Sequence, residues 1–378
     1  MMISPSQAEQ QCDGVVVVHL TREKEPAHEH AVHVELGKRL SVLQGLDFAG
    51  IYDPEQRYKG RVYFLPTDTL IGIETARSLG INSELDLFGG VAPHPFVATK
   101  AITHPLVLPQ SYAPPGWARG FAQMVSDSVL RGFTVFTIDD ARVAAERLLN
   151  NGPLRLKPVR ATGGRGQVLV SDAAQLVQAL QELDVTELGH YGLVLEEHLD
   201  EVVTYSVGRV RIGSIIATYL GTQRLTPDNK GNEVYGGSDL LVVRGDFDAL
   251  LRLDLSETGR RAIAQARIYD EAATQFFPDF FASRRNYDIA AGIDAQRQKR
   301  SGVLEQSWRT GGASAAEIAA IEAFQASATL SAVRASTFEV FGKEAYAPHD
   351  AMVFFRGDDD EIGHVCKYVT VTAYGDTE

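Results

Sequence analysis

The chain has 378 residues, 44% of them hydrophobic, and its 49 acidic and 36 basic side chains give a formal net charge of −13 at pH 7. This length suffices for two or three domains with a large buried core, and the negative charge without a long basic run argues against a nucleic-acid partner. The two cysteines, Cys12 and Cys366, lie at opposite ends of the chain, which excludes a disulfide framework and a cysteine-rich metal site and fits a reducing cytosol.

The N-terminal hundred residues predict a small open α/β domain. Residues 15–20, VVVVHL, form a β-branched run typical of a strand covered on both faces, and the helical stretch HEHAVHVELGKRL follows it. A zinc site of the HExxH type is excluded there because position 32 is Val32. The apolar run 14–20 is too short to span a bilayer, and the N-terminus lacks the features of a signal peptide, so we expect a cytoplasmic protein without membrane contact.

After a proline-rich connection, residues 133–136 predict a strand and residues 139–150 a helix that begins at Asp139 or Asp140. Residues 154–170, LRLKPVRATGGRGQVLV, then predict a strand carrying Lys157, a glycine loop and a second strand. Ser171 is suited to cap the helix that follows.

The glycine loop contains Gly163, Gly164 and Gly166. Glycine lets backbone N–H groups approach an anion, and Lys157 adds a positive charge, so the segment is suited to cover the phosphates of a nucleotide. It is not a P-loop, because the lysine precedes the glycines, and no helix opens directly behind it as a dinucleotide-binding loop requires. A tight hairpin whose glycines serve only positive-φ positions is the alternative.

Residues 192–199, GLVLEEHL, predict a buried strand that ends in paired carboxylates. Such an edge is suited to reading an adenine or a ribose, so Glu196, Glu197 and Leu199 are candidate nucleotide contacts. The alternative for the two glutamates is a solvated strand end.

The second half predicts an antiparallel sheet, beginning with a hairpin turned at Gly213. A long polar loop is expected from residue 224 to 237, where Arg224 either faces a transferred phosphate or is a solvated surface residue. Ser256 is suited to cap the helix 256–276. Asp288 and Glu305 interrupt apolar runs at corresponding places on a probable hairpin, and residues 313–328 predict an alanine-rich helix.

Taken together, these segments resemble the ATP-grasp superfamily, whose order is lysine, glycine-rich flap, hinge carboxylate and metal-binding hairpin. The matching segments are Lys100 in VATK, Lys157 with its glycine loop, LVLEEHL, TYSV, NYDI and GVLEQSWRTGG. The resemblance implies an ATP-grasp fold with two lobes around a nucleotide cleft and an N-terminal α/β domain, ATP and Mg²⁺ as cofactors, and phosphate contacts from Lys100 and Lys157. It also implies that Asp288, Glu305 and Ser307 hold the metal and that Arg309 faces the phosphates or the substrate.

Two positions depart from the superfamily pattern. Ser307 stands at the usual asparagine, which puts a second metal ion in question, although a hydroxyl can bind Mg²⁺ or a bridging water. Thr204 stands where a ribose-binding glutamate is usual, so either Asp200 or Glu201 replaces it or the ribose contact is lost. The chain as a whole also resembles a bacterial ATP-grasp-like family of unassigned function, which names no substrate.

We therefore expect an α/β and α+β protein divided at residues 1–100 (N-terminal domain), 101–195 (small lobe with the flap), 196–345 (large lobe with the metal-binding hairpin) and 346–378 (C-terminal extension). The resemblance implies an ATP- and Mg²⁺-dependent ligase that joins a carboxylate to an amine through an acylphosphate. A kinase-like phosphotransferase and a non-catalytic ATP-binding regulatory protein are the alternatives. Small-molecule substrates and a possible homodimer are the expected partners.

Overall fold

The computed structural model describes residues 13–22, 25–160 and 166–374 of the chain. The N-terminal domain is built on a three-stranded parallel sheet in the order β2-β1-β3, with the long helix α1 packed on it. The bounds are β1 (Gly14–His19), α1 (Ala27–Gln44), β2 (Asp47–Ile51) and β3 (Arg61–Pro66). The β-branched run of β1 is buried in the middle of this sheet, as its composition predicts.

A second small sheet connects this domain to the rest of the chain. It has the order β13-β5-β4 and pairs a segment from the far side of the sequence with two N-terminal strands. Its elements and the neighbouring helix are β4 (Leu70–Ile71), α2 (Ile73–Ser78), β5 (Gly90–Ala92) and β13 (Phe281–Ala282). Two short 3₁₀ segments, Pro95–Ala98 and Lys100–Thr103, follow β5 and lead into α3 (Arg119–Met124).

The small lobe is a four-stranded antiparallel sheet in the order β6-β9-β7-β8. Its elements are β6 (Gly132–Val135), α4 (Ile138–Leu149), β7 (Leu154–Pro158), β8 (Val168–Val170), α5 (Ala173–Gln181), α6 (Val185–Tyr191) and β9 (Leu193–Glu197). Two helices of this lobe, α4 and α5, have caps one to three residues from the predicted ones. Thr137 rather than Asp139 or Asp140 caps α4, and Asp172 rather than Ser171 caps α5, because these side chains reach a free N–H of the first turn.

The large lobe is an eight-stranded antiparallel sheet in the order β15-β14-β10-β11-β12-β16-β18-β17. Its strands are β10 (Asp200–Ile212), β11 (Ile215–Pro227), β12 (Glu233–Arg244), β14 (Arg284–Ile293), β15 (Lys299–Ser307), β16 (Ala332–Phe341), β17 (Met352–Asp359) and β18 (Gly363–Ala373). The hairpin turned at Gly213 is present, with this glycine at φ +56. The last two strands come from residues 346–378, so that segment completes the large sheet.

The prediction of a long loop between residues 224 and 237 is wrong. β11 continues to Pro227 and β12 resumes at Glu233, so only a short turn joins them. The side chain of Asp228 closes this turn by accepting hydrogen bonds from the backbone N–H groups of Lys230 and Asn232. Polar and glycine residues therefore stand inside two paired strands here, where the sequence pattern indicated a loop.

Helices cover both faces of the large sheet. These helices are α7 (Phe247–Leu251), α8 (Glu257–Phe276) and α9 (Ser314–Ala326). Ser256 caps α8 as predicted, its hydroxyl accepting from the N–H of Gly259. Helix α9 packs between the sheet and α1, and this shared core fixes the N-terminal domain against the large lobe.

None of the helices in the described ranges has the length and apolar character needed to cross a membrane.

A close approach between two central strands yields a test of the packing. Gly208 on β10 lies opposite Tyr219 on β11, and a Cβ at this glycine would lie 2.2 Å from the tyrosine ring and 2.5 Å from the carbonyl oxygen of Arg285. Gly208→Ala should lower the free energy of unfolding by about 1–3 kcal/mol, as overpacked core positions do. Chemical denaturation measures the change.

The matched control is Gly189→Ala in α6, where a Cβ meets nothing within 4 Å. In a helix this substitution is neutral or stabilising, by up to about 1 kcal/mol. Equal effects of the two substitutions would contradict the packing described for β10 and β11.

Candidate functional site

A cavity of about 1050 Å³ lies between the small and large lobes and reaches the N-terminal domain. The small lobe contributes Lys157, Glu196 and Glu197 to its lining, and the large lobe contributes Asp288 and Glu305. Its far end is lined by β4 and the loops that precede it, including Arg22 and Asp68. Most of the predicted site residues therefore meet at one cavity, although they are distant in sequence.

On the small-lobe side, a buried charge cluster centres on Glu196. Lys157 forms an ion pair with one carboxylate oxygen of Glu196, and Nε2 of His104 lies 3.0 Å from the other. All three residues are at most 5% exposed. Burial by itself would raise the pKa of Glu196, but the charge of Lys157 and the contact with His104 outweigh it, so the pKa lies below its usual value.

The neighbouring Glu197 joins the two lobes. Its carboxylate accepts from the backbone N–H and the Nε of Arg131, at 2.9 and 2.8 Å, and lies 3.4 Å from Nη2 of Arg300 on β15. Arg131 also reaches Asp294, at 3.2 Å. Two arginines thus hold Glu197, whereas Leu199 is buried and lines the cavity beside it.

A β-bulge aims Glu305 into the cavity. Asp288 pairs with Glu305, but the next residue of β14, Ile289, pairs with Val303, which leaves Leu304 as an extra residue on β15. Side chains alternate between the faces of a strand, and Val303 is fully buried in the core beneath the sheet. In a regular strand of this sequence Glu305 would point into that core; the bulge turns Glu305 to the other face, where it lines the cavity beside Asp288.

Polar neighbours hold both carboxylates. Nζ of Lys100 lies 2.8 Å from Oε2 of Glu305. Oδ1 of Asp288 lies 3.1 Å from the Ser206 hydroxyl and 3.0 Å from the side-chain amide of Asn286. Burial and the like charge of Glu305 raise the pKa of Asp288 above its usual value.

The side chains around Asp288 and Glu305 fit a divalent cation that prefers oxygen ligands. No group of three or more His, Cys, Asp or Glu side chains in the described ranges is arranged to hold a metal. Two carboxylates with a hydroxyl and a side-chain amide nearby suit Mg²⁺, which binds through one or two carboxylates and keeps several waters. Asp288 and Glu305 would supply the charged ligands.

Ser307, the third predicted metal ligand, is already engaged. Its hydroxyl and its carbonyl oxygen each lie 3.2 Å from Nη1 of Arg284, which donates to both. Arg284 is itself buried and paired with Glu317 at 2.8 Å. A metal bound to the Ser307 hydroxyl would face this permanent positive charge, so its placement does not favour the predicted role.

The two predicted arginines have different positions. Arg309 lines the cavity, with Nη1 donating to the carbonyl of Thr310 and Nε 3.9 Å from Asp68. Arg224 does not line it. Its guanidinium pairs with Asp239 and stacks 4.2 Å from the centre of the Phe338 ring, so we leave it out of the site.

Some of the residues predicted for the ribose and the flap have a defined position in the structure. Thr204 lines the cavity, whereas Asp200 and Glu201 do not, so neither of them replaces the usual glutamate. Gly163 and Gly164 lie outside the described residues. Gly166 has φ +66, which favours glycine.

Sequence reasoning missed several residues of the site. His104 has no motif around it and reaches Glu196 only through folding. Asn286 and Ser206 stand in the segments NYDI and TYSV, and their spacing of two from Asp288 and Thr204 was a usable signal, because residues two apart share a strand face.

Comparison with known proteins identifies the family and the fold. Residues 16–369 match the family described as "Protein of unknown function (DUF3182)". No curated protein matches the sequence. Among solved structures, the chain is similar to N5-carboxyaminoimidazole synthetase from Staphylococcus aureus, with a TM-score of 0.52 and 12% identity over 95% of this chain and 93% of that one.

The chain is also similar to an ADP complex of purK, N5-carboxyaminoimidazole ribonucleotide synthetase. Here the TM-score is 0.51 and the identity 9%, over 96% of this chain and 93% of that one. Identity this low shows the fold alone. The chain has the ATP-grasp fold, as its motifs predict.

The cluster around Glu196 yields a prediction for stability. Glu196→Gln leaves Lys157 buried without its counter-charge, so the free energy of unfolding at pH 7 should fall by about 3–5 kcal/mol. Asp139→Asn is the control, because Asp139 pairs with Arg142 in an exposed position of α4, where such pairs contribute at most about 1 kcal/mol.

The pH dependence has a defined sign. Because folding lowers the pKa of Glu196, its contribution is fully present above the pKa of the unfolded chain and is lost as the pH falls through the folded pKa. The difference in unfolding free energy between wild type and Glu196→Gln should therefore shrink on acidification, as denaturation at several pH values measures. A difference that grows towards low pH would contradict the described ion pair.

Proposed function

The chain belongs to the DUF3182 family, and we propose that it is an ATP-dependent ligase that joins a carboxylate to an amine or a similar nucleophile. The main support for this proposal is the cavity between the lobes, where Lys157 and Glu196 on one lobe face Asp288 and Glu305 on the other. The purK structure of similar fold was determined with ADP, which supports a nucleotide in the corresponding cleft of this chain.

In this proposal the adenine lies against the small lobe. Glu196 keeps a negative charge because Lys157 and His104 stabilise it, and a carboxylate accepts hydrogen bonds from an exocyclic amine. Leu199 supplies an apolar wall. The phosphates extend towards Lys100, which lies on the other side of the cavity at Glu305.

Charge neutralisation is the main requirement of the first step. The carboxylate oxygen of the acceptor attacks the γ-phosphorus, the bond from that phosphorus to the ADP oxygen breaks, and ADP leaves with the electron pair. Among the cations that line the cavity, Lys100, Lys157 and Arg309 would neutralise this charge. A Mg²⁺ ion held by Asp288 and Glu305 would supply further neutralisation when bound.

The second step forms the product. The nucleophile attacks the carbonyl carbon of the acylphosphate, the carbon–oxygen bond to phosphate breaks, and the nitrogen loses a proton to solvent. We place the acceptor carboxylate at the far end of the cavity, where Arg22 and Arg309 are both close to Asp68. The lobes position the reactants, and no covalent enzyme intermediate is needed.

ATP binding is tested first through stability. A ligand that binds only the folded state stabilises it by about 2.7 kcal/mol at a hundredfold excess over its Kd, so ATP with Mg²⁺ should raise the melting temperature of the wild type. Lys157→Met should remove most of this increase, each variant being compared with its own ligand-free value. The control is Lys230→Met in an exposed turn, which should keep the increase.

Turnover then distinguishes the reaction classes. With mixtures of carboxylic acids and amines, a ligase releases phosphate only when both are present. A stable phosphorylated product without an amine would indicate a phosphotransferase instead. No stabilisation of the wild type at millimolar ATP would contradict the nucleotide site itself.

A further inference from the structure

Asn286, a neutral polar side chain, lies on β14 directly opposite Ser307 of the neighbouring strand β15. Asn286 is the register partner of Ser307, just as Asp288 is the partner of Glu305. Residues two apart share a face of a strand, so all four side chains line the same wall of the cavity. Of the two neutral side chains, Ser307 is engaged by Arg284.

We propose that the amide oxygen of Asn286 is the third protein ligand of a divalent cation held by Asp288 and Glu305, and that Tyr219 and Glu317 orient this amide. The inference rests on the proposed function, in which such a cation accompanies the nucleotide. It gives the role of a metal ligand to Asn286, a residue that the sequence motifs left without a role.

Two oxygen atoms compete for the single proton of the Tyr219 hydroxyl. Its hydroxyl lies 2.9 Å from Oδ1 of Asn286 and 2.6 Å from Oε1 of Glu317, and all three side chains are buried. A phenol has one proton, so it cannot donate to both oxygens. The carboxylate is the nearer acceptor, and a bond to a charged acceptor is the stronger one.

The orientation of the Asn286 amide follows from that proton. The oxygen and nitrogen of an amide are nearly interchangeable in position, and the hydrogen-bond network decides between them. If Tyr219 donates to Glu317, Asn286 satisfies its NH₂ by donating to the phenol oxygen. Its carbonyl oxygen then takes the position 3.0 Å from Oδ1 of Asp288, facing the cavity.

That distance matches the spacing of two ligands on one ion. Mg²⁺ binds oxygens octahedrally at 2.0–2.1 Å, which puts adjacent ligands roughly 2.9 Å apart. Two oxygens this close repel each other unless a cation lies beside both. The bound cation therefore stabilises the orientation in which the amide oxygen faces the cavity, the Asn286 NH₂ donates to the phenol oxygen and Tyr219 donates to Glu317.

The test measures metal affinity directly, with Mn²⁺ as the probe and electron paramagnetic resonance of free Mn²⁺ as the readout. Asn286→Leu removes the oxygen and should weaken Mn²⁺ binding at least about tenfold. Asn286→Asp retains an oxygen and should bind Mn²⁺ at least as tightly as the wild type. Ser307→Ala, its cross-strand neighbour, should stay within about twofold.

Charge and folding need separate controls. Gln223 lines the same wall of the cavity and is linked to Asp288 through the hydroxyl of Ser206. Gln223→Glu therefore adds a carboxylate further from the cation, and should tighten Mn²⁺ binding less than Asn286→Asp does. Melting curves complete the comparison. Mn²⁺ should stabilise Asn286→Asp more than the wild type, because the bound ion relieves the repulsion between the new carboxylate and Asp288. It should not stabilise Asn286→Leu.

Two results would overturn the inference: Mn²⁺ affinity unchanged in both Asn286 variants, or a loss in Ser307→Ala as large as in Asn286→Leu. All titrations are run with and without ADP. Failure of the wild type to bind ADP contradicts the proposed function, whereas the comparison of variants in Mn²⁺ alone decides the role of Asn286.

Discussion

The β-bulge at Leu304 is the constraint on which the site depends. Strand alternation would send Glu305 and Val303 to the same face, and Val303 belongs to the core over α8. The extra residue at the bulge lets β15 direct Val303 into the core and Glu305 into the cavity, where Glu305 lies beside Asp288. Bulges next to active sites commonly re-aim a side chain in this way. In a regular strand of the same sequence, Glu305 would be buried beside Val303 and Asp288 would lack its counterpart in the cavity.

A buried ion pair lies beside these carboxylates, on the same face of β14. Arg284 and Glu317 are paired at 2.8 Å and at most 2% exposed, and Tyr219 packs against Gly208 to reach them. A buried pair of this kind contributes little net stability, yet losing one partner is costly. Arg284 lies on the same face of β14 as Asn286 and Asp288, so this pair borders the polar side chains of the cavity, and Arg284 contacts Ser307 directly. The residues that pack this part of the sheet therefore also contact the polar side chains of the site.

Local patterns in the sequence predicted much of this arrangement. The apolar run of β1, the cap at Ser256 and the lysine, carboxylate and hairpin motifs all lie in continuous segments, and the ATP-grasp fold is confirmed. What failed depends on contacts between distant segments. The strands on either side of Asp228 looked like a loop because their glycines and polar residues are ordinary turn formers. His104 reaches Glu196 across 92 residues, and the bulge exists only once β14 and β15 are paired.

The most direct test of the account is a crystal structure with ADP and Mn²⁺. It should show the adenine at Glu196 and Leu199 and an anomalous peak within bonding distance of Asp288 and Glu305, with the amide of Asn286 as a further ligand. Nucleotide bound elsewhere on the chain, or a metal held without Asp288 and Glu305, would contradict the claim that the cavity between the two lobes is the active site.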